Sequence, residues 1–299
     1  MNNNLKAHFS LFLANFIYGI NFTVAKDVMP AYIGPSGFVL IRVIGATALF
    51  WLLAKLYPPE KIDRKDYFKL ILCSLFGVAI NQLLFFEGLN LTTPINASII
   101  MVTTPVLVLV FAAIILRERV TLNKIAGICL GIAGAMALIL FNPQISGTFG
   151  PGAALGDWFI FINAASYAIY LAMVKPLMYK YKATTIIKWV FLFGLFFVFP
   201  VGMNELAAFE WKMIPIEIWV EILFVVICTT FLAYLLNMVA LKSVSPSVVS
   251  VYIYLQPVLA AAIALSLGKD ELNWVKAASA VLIFTGVYLV SKPVKAITA

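Results

Sequence analysis

The sequence has few charged residues. Asp, Glu, Lys and Arg make up 11% of its 299 residues, whereas about a quarter of an ordinary soluble domain is charged. Hydrophobic residues make up 63% instead. Apolar stretches of about 20 residues, the length that crosses a bilayer as a helix, recur from end to end. This composition excludes a soluble protein and predicts an integral membrane protein.

Residues that carry acid-base or metal chemistry are equally scarce. His8 is the single histidine, and Cys73, Cys129 and Cys228 fall within apolar stretches without the spacing of a metal site. The sequence also has no paired acidic motif and no glycine-rich phosphate loop. We therefore predict no catalytic residue, no metal and no cofactor. An intramembrane enzyme is the weaker functional alternative, because its chemistry would need convergent His, Cys, Asp or Glu side chains.

Apolar windows of membrane-spanning length divide the chain into ten candidate helices. Their limits are about 8–26, 35–57, 67–90, 94–116, 122–141, 155–175, 185–204, 217–240, 246–267 and 273–291. The connections are short, and the longest, NPQISGTFGPGA, lies between the fifth and sixth spans. The expected fold class is therefore an all-α integral membrane protein with ten transmembrane helices.

The distribution of basic residues orients these helices. If the N-terminus lies inside, sixteen of the 21 Lys and Arg residues fall at inner ends of spans and four at outer ends. Arg42 lies within the second span. Because Lys and Arg accumulate on the cytoplasmic side, both termini are predicted to be cytoplasmic. The net charge of +8 is then explained without a nucleic-acid partner.

The sequence repeats itself with a shift of 152 residues, which aligns Pro105 with Pro257. A shift of 149 also aligns the first span with the sixth. Each repeat then holds five spans, an odd number, so the second repeat must enter the membrane from the opposite side. We predict inverted five-helix repeats at residues 1–145 and 146–299 within one membrane bundle, an architecture typical of transporters.

Four sequence pieces also carry a family resemblance. They are YGINFTVAK in the first span, LNLTTPINASIIMVTTPVLVLV before and within the fourth, the loop RERVT, and the glycine-rich KIAGICLGIAGAMAL of the fifth. Together with their counterparts in the second repeat, they resemble the EamA type of the drug/metabolite transporter superfamily. The resemblance covers nearly the whole chain.

The resemblance implies a multi-pass protein of the bacterial inner membrane that exports small metabolites, such as amino acids or related organic solutes. Transport would proceed by alternating access through a central cavity between the repeats. A passive channel-like facilitator would share the topology and stays as the alternative. The expected partners are a small-molecule solute and the lipid bilayer. We expect a monomer, with a homodimer as the alternative.

Polar and aromatic side chains within the spans mark the candidate cavity, because polar groups at membrane depth face the bundle interior. Asn163, Tyr167 and Tyr170 share one helical face, whereas Asn15 and Asn21 do not, so at most one of that pair is expected to line a cavity. Interhelical hydrogen bonding is the plainer alternative for each residue. The candidate cavity-lining residues are Asn81, Gln82, Met101, Asn163, Tyr167, Tyr170, Tyr234, Asn237, Tyr252 and Gln256.

Pro105 and Pro257 are the candidate hinge residues. Proline lacks an amide hydrogen, so the carbonyl groups of Met101 and Ile253 lose their helical donors. Such groups persist at membrane depth only where protein or cavity water satisfies them. Breaks at matched positions suit a moving pair of helices, and a packing kink is the alternative.

Small residues on the fifth span form a candidate packing face. Gly127, Gly131 and Gly134 lie at the spacing that lets two helix backbones approach closely. The tenth span offers a small-residue stretch of its own. We expect these two helices, each the last of its repeat, to pack together away from the cavity.

Four ionisable residues have open roles. Arg42 would guide an anion, meet a carboxylate, or extend its charged end toward the outer surface. Glu87, Asp157 and Glu221 fall near outer ends of spans, so the sequence does not support proton coupling at the midplane.

Overall fold

A computed structural model describes residues 3–140, 152–209, 211, 214–266 and 273–292. Within these ranges the regular structure is helical and includes no strand. The first half supplies α1 (Asn3–Val28), α2 (Pro35–Ala54), α3 (Arg64–Leu91), α4 (94–116) and α5 (Leu122–Leu140). The second half supplies α6 (Ala153–Met178), α7 (Ala183–Ala207), α8 (Ile216–Ser243), α9 (246–266) and α10 (Trp274–Ser291). Most of the loop at the predicted midpoint, residues 141–151, lies outside the described ranges.

Nine helices in the described part of the chain, α2 to α10, are long and apolar enough to cross a membrane. The helix α1 is 26 residues long but does not belong to this set. Its sequence is more polar, because Asn15 and Asn21 lie within it and Lys6 and Asp27 lie near its ends. The prediction of a helical membrane protein is confirmed, and a tenth crossing by α1 stays a proposal.

The helices α4 and α9 begin in the same way. Pro94 and Pro246 occupy their first turns, where a missing amide hydrogen costs nothing because that group has no helical acceptor. Thr93 precedes Pro94, and its hydroxyl oxygen accepts a hydrogen bond of 3.1 Å from the amide of Asn96. Matched prolines in the sequence thus start matched helices.

Both helices are interrupted again before their second proline. In α4 the helix stops at Met101 and restarts at Thr104, and the Thr103 hydroxyl donates to the carbonyl oxygen of Ile100 at 2.7 Å. In α9 the interruption is a 3₁₀ turn, Tyr252–Tyr254. Pro105 and Pro257 therefore lie in the first turn of a new helical segment rather than in the middle of a continuous one.

A second pair of irregularities lies in α3 and α8. Leu75–Ile80 of α3 and Val225–Leu232 of α8 are π-helical, with one more residue in each hydrogen-bonded ring than an α-helix. The two segments occupy corresponding places in the two repeats. Such widened turns often lie at functional sites. We therefore expect a functional site in the interior of the bundle beside them.

The packing of the helices is symmetric under exchange of the two halves. The most extensive contacts join α5 to α10 and α2 to α7, which are the same helix of each repeat. The next join α3 to α6 and α8 to α1, and α4 to α6 and α9 to α1. Each contact in one half has an equivalent contact in which the roles of the two repeats are swapped. The two halves therefore form one bundle with internal twofold pseudosymmetry.

Close backbone contact holds α5 against α10. A Cβ atom added to Gly127 would lie 2.7 Å from the carbonyl oxygen of Gly286, and one added to Gly134 would lie 2.8 Å from that of Ser279. Gly131 adjoins both α9 and α10: a Cβ atom there would overlap the ring of Tyr254 on α9, and one added to Gly286 would lie 2.9 Å from the Gly131 amide nitrogen. Glycine at these positions allows the close approach of the helices.

A buried carboxylate joins the first turn of α3 to the loop after α6. Asp66 is 1% exposed and accepts hydrogen bonds from Lys180 Nζ at 2.8 Å and from the Tyr181 hydroxyl at 2.9 Å. The hydrogen bond from Lys180 to this carboxylate raises the pKa of Lys180. The link holds the two repeats together at the inner side predicted from the basic residues.

Replacing Gly127 by valine is expected to destabilise the bundle. The new side chain would collide with the backbone of α10, and overpacking of this kind costs about 1–3 kcal/mol. The measurement is the free energy of unfolding of the purified protein in a titration with SDS. Ala133→Val is the matched control, because Ala133 is exposed on the same helix; equal destabilisation by both variants would contradict the packing role of Gly127.

Candidate functional site

A cavity lies between the two repeats. Its volume is about 100 Å³, which is room for several water molecules or a small organic group. Its walls come from α1, α2, α3 and α4 of the first half and from α6, α8 and α9 of the second. The lining residues are Asn15, Tyr18, Asn21, Arg42, Asn81, Gln82, Phe85, Phe86, Met101, Asn163, Tyr167, Thr229, Tyr234, Asn237, Val249, Ile253 and Gln256.

Eight of the ten candidate cavity residues line this space. They are Asn81, Gln82, Met101, Asn163, Tyr167, Tyr234, Asn237 and Gln256. The other two tyrosines lie elsewhere: the Tyr170 hydroxyl donates to Met238 Sδ at 3.1 Å, and the Tyr252 hydroxyl lies 2.7 Å from His8 Nδ1. Both therefore pack between helices and do not face the cavity.

Side chains that line the cavity also join α3 to α6. Asn163 Nδ2 donates to the carbonyl oxygen of Asn81 at 2.6 Å, and Asn81 Nδ2 approaches the carbonyl oxygen of Asn163 at 3.4 Å. The hydroxyl of Tyr234 on α8 donates to Asn81 Oδ1 at 3.2 Å. Asn81 follows directly after the π-helical segment of α3, so this cluster holds the widened turn against the second repeat.

The helix α1 is held by similar contacts on the opposite wall. Gln256 Nε2 donates to Asn15 Oδ1 at 2.9 Å, which joins α9 to α1. Asn237 Nδ2 donates to the Tyr18 hydroxyl at 3.3 Å, which joins α8 to α1. The amides of the cavity wall thus serve both as interhelical links and as lining.

The expectation that at most one of Asn15 and Asn21 lines the cavity is wrong, because the structure places both in the wall. Asn15, Tyr18 and Asn21 follow one another at intervals of three residues. Each interval turns the side chain by about 60° relative to the last, so the three cover an arc of about 120°. Because this wide arc of α1 faces the cavity, both asparagines reach its wall.

Arg42 is the functional candidate whose position the sequence left open. Its side chain does not extend to the surface but is 3% exposed and lines the cavity. Its Nε donates to Thr230 Oγ1 at 2.9 Å, and its guanidinium carbon lies 4.2 Å from the ring centroid of Phe86, a favourable cation–π distance. The second span thus brings a positive charge into the interior.

Several buried polar atoms of the lining residues have no hydrogen-bond partner among the described residues. They include Asn21 Oδ1, Arg42 Nη1, Asn163 Oδ1 and Thr229 Oγ1. Buried polar groups are normally hydrogen-bonded, and those that lack a protein partner indicate bound water or a ligand. These atoms provide donors and acceptors for a molecule in the cavity.

The remaining predicted residues lie outside this cavity. The hinge candidates Pro105 and Pro257 and the packing glycines of α5 do not line it. Of the outer-end acids, Glu87 accepts from the Ser36 hydroxyl at 2.5 Å and Asp157 from the Thr92 hydroxyl at 2.6 Å. No group of three His, Cys, Asp or Glu side chains within the described ranges could hold a metal ion.

A cysteine at Tyr167 or Gln256 is expected to react with a water-soluble thiol reagent. Both residues line the cavity, and thiol reactivity requires access, so we expect at least about a tenfold higher rate than at Tyr170→Cys. The background carries alanine in place of Cys73, Cys129 and Cys228. Reagent is applied from each side of reconstituted vesicles; equal rates at all three positions would contradict the cavity placement.

Comparison with known proteins places the chain among membrane transporters. It is 26% identical to the uncharacterized transporter YetK of Bacillus subtilis, over 95% of this chain and 86% of that protein. It is 24% identical to an uncharacterized transporter of Archaeoglobus fulgidus, over 96% and 97% of the two chains. A WAT1-related protein of Arabidopsis thaliana is 26% identical, over 91% of this chain and 75% of that protein.

A solved crystal structure shares the fold, with a TM-score of 0.75 at 18% identity over 96% of this chain and 95% of the other. The EamA-like transporter family matches this chain twice, at residues 5–140 and 154–292. The two matches correspond to the two halves of the symmetric bundle. The chain therefore belongs to the EamA-like transporter family.

Proposed function

We propose that this transporter exports small organic solutes, such as amino acids, by alternating access through the cavity between its repeats. The observation that carries the proposal is the composition of the cavity wall, to which both repeats contribute amides and aromatic rings. A site of this kind holds the apolar part of a solute against its rings and orients the polar part with its amides. Relative movement of the repeats would open it to each side in turn.

The topology that belongs to this proposal has ten crossings. The helix α1 has 26 residues and is about 39 Å long at 1.5 Å per residue, which exceeds a hydrocarbon core of about 30 Å. With α1 included, each repeat crosses five times, and the repeats at 1–145 and 146–299 are inverted. Both termini then lie in the cytoplasm, and the membrane is the inner membrane of the cell.

The paired irregularities support a hinge in each repeat. The helix interruptions before Pro105 and Pro257 occur at corresponding places, and both break the continuous backbone hydrogen bonding that stiffens a helix. Residues next to each break, Met101 and Ile253, line the cavity. A change in bend at either break would therefore move the cavity wall.

We propose that the protein works as a monomer in the bilayer. Large apolar side chains cover its exterior, such as Leu52, Ile114 and Phe196, each more than 60% exposed. These side chains suit contact with lipid. The small-residue face of α5 is occupied by α10 within the same chain, which removes the main sequence argument for a homodimer.

Light scattering of the purified protein in nanodiscs measures the stoichiometry.

Counterflow in proteoliposomes tests the transport mechanism. Vesicles are loaded with each member of a metabolite panel chosen by comparing efflux from cells with and without the protein. A carrier is expected to take up labelled solute faster when the same unlabelled solute is inside, because its cavity returns loaded. Uptake that is independent of internal solute would indicate a passive channel, and no uptake for any member would contradict the proposal.

Replacing both hinge prolines is expected to slow exchange. Pro105→Ala and Pro257→Ala restore an amide donor at each break, and the double variant is expected to reduce the counterflow rate by about tenfold, or about 1.4 kcal/mol in the barrier. Pro200→Ala is the matched control, since Pro200 lies inside α7, which contributes no lining residue. Unchanged exchange in the double variant would reduce the two prolines to packing features.

A further inference from the structure

Arg42 brings a charge into a cavity whose wall holds no carboxylate. The lining residues include no Asp and no Glu, so within the described residues nothing in the wall balances the guanidinium group. A buried charge is costly unless another charge or several hydrogen bonds compensate it. The arrangement is therefore electrostatically incomplete.

The partners that Arg42 does have are neutral. Thr230 accepts from its Nε at 2.9 Å, and that hydroxyl in turn donates to the carbonyl oxygen of Val225 at 2.8 Å inside the π-helical segment of α8. The Phe86 ring covers one face of the guanidinium group. These contacts fix the orientation of the side chain. They leave Nη1 buried without an acceptor in the described part of the chain.

We infer that Arg42 is the binding residue for a carboxylate group of the transported solute. A guanidinium group presents donors that match the two oxygens of a carboxylate, and the unpartnered Nη1 lies in the wall of the cavity. The inference rests on the proposed transport function and names the substrate class: small organic carboxylates, including zwitterionic amino acids.

The rest of the cavity wall suits the body of such a solute. Tyr18, Phe85, Tyr167 and Tyr234 supply aromatic surface. Asn163 supplies an acceptor, because its Nδ2 is committed to the carbonyl oxygen of Asn81 and its Oδ1 is left without a partner among the described residues. A solute whose carboxylate binds Arg42 and whose apolar body lies against these rings would contact the charged, aromatic and amide parts of the wall.

The first experiment measures the potential in the cavity without a known substrate. Tyr167→Cys, in the background without native cysteines, is treated with two methanethiosulfonate reagents, one bearing an ethylsulfonate and one an ethyltrimethylammonium group. Their rates are normalised to those with a free thiol. We expect Arg42 to raise the ratio of anionic to cationic rates by about tenfold over Arg42→Gln, because a charge in a low-dielectric cleft concentrates ions of opposite sign.

Two variants serve as controls. Arg42→Lys retains the charge and is expected to retain most of the rate ratio, whereas Arg119→Gln removes an exposed charge outside the cavity wall and is expected to leave the ratio unchanged. If the Arg42→Gln variant shows the same ratio as the protein with its native arginine, the inference is overturned.

The second experiment needs no change at Arg42, so it stands even where Arg42→Gln does not fold. Benzoate and benzamide have the same ring and differ in charge. We expect benzoate to slow modification of Tyr167→Cys by the neutral reagent methyl methanethiosulfonate at least about fivefold more than benzamide at the same concentration. Equal effects, including no protection by either compound, would overturn the assignment of a carboxylate site.

The two proposals fail in different ways. If the rate ratio does not depend on Arg42 while counterflow is observed, the carboxylate assignment is wrong and transport stands. If Tyr167→Cys reacts with none of the three reagents from either side, the cavity is not an open route. In that case the proposed transport path fails, and the assignment of Arg42 falls with it.

Discussion

Hydrocarbon supplies no hydrogen-bond partner to the polypeptide, and most of this structure follows from that constraint. Backbone amides and carbonyl groups must be satisfied within the protein, so the spans are helices. Where the helices depart from regular geometry, the departures occur beside other helices or the cavity: the π-helical turns of α3 and α8 adjoin Asn81 and Tyr234, and the Thr103 hydroxyl replaces part of the lost bonding in α4. Polar side chains follow the same constraint and gather between the repeats.

The sequence predicted the limits of the helices well, because the length of each apolar stretch matches the thickness of the hydrocarbon core that the helix must cross. The span predicted at 67–90 is Arg64–Leu91, and that at 155–175 is Ala153–Met178; the structure extends each by a few residues, since helices continue into the polar interface. The π-helical turns had no signal in the periodicity. The contacts beside them join residues far apart in the sequence, such as the Tyr170 ring and Gly77, and periodicity within one span does not reveal such contacts.

The cavity was predictable only as far as polar side chains in the middle of a span can be expected to face the interior of the bundle. That argument found eight of the 17 residues that line the cavity and missed the other nine. Tyr252 lies in a 3₁₀ turn, through which α-helical periodicity no longer gives the direction of a side chain. The same argument understated α1, where Asn15 and Asn21 both reach the cavity, and it could not decide between surface and interior for Arg42. Whether these side chains face the cavity or the surface depends on how each helix is positioned in the bundle.

The contact between α5 and α10 has a consequence for how the protein is made. During synthesis α5 is made well before α10, so the glycine face of α5 has no partner until Trp274–Ser291 has been made. The most extensive contact between the two halves therefore forms only after α10 has been made. A chain cut short before Gly286 would leave the glycine face of α5 open to lipid or to other membrane helices.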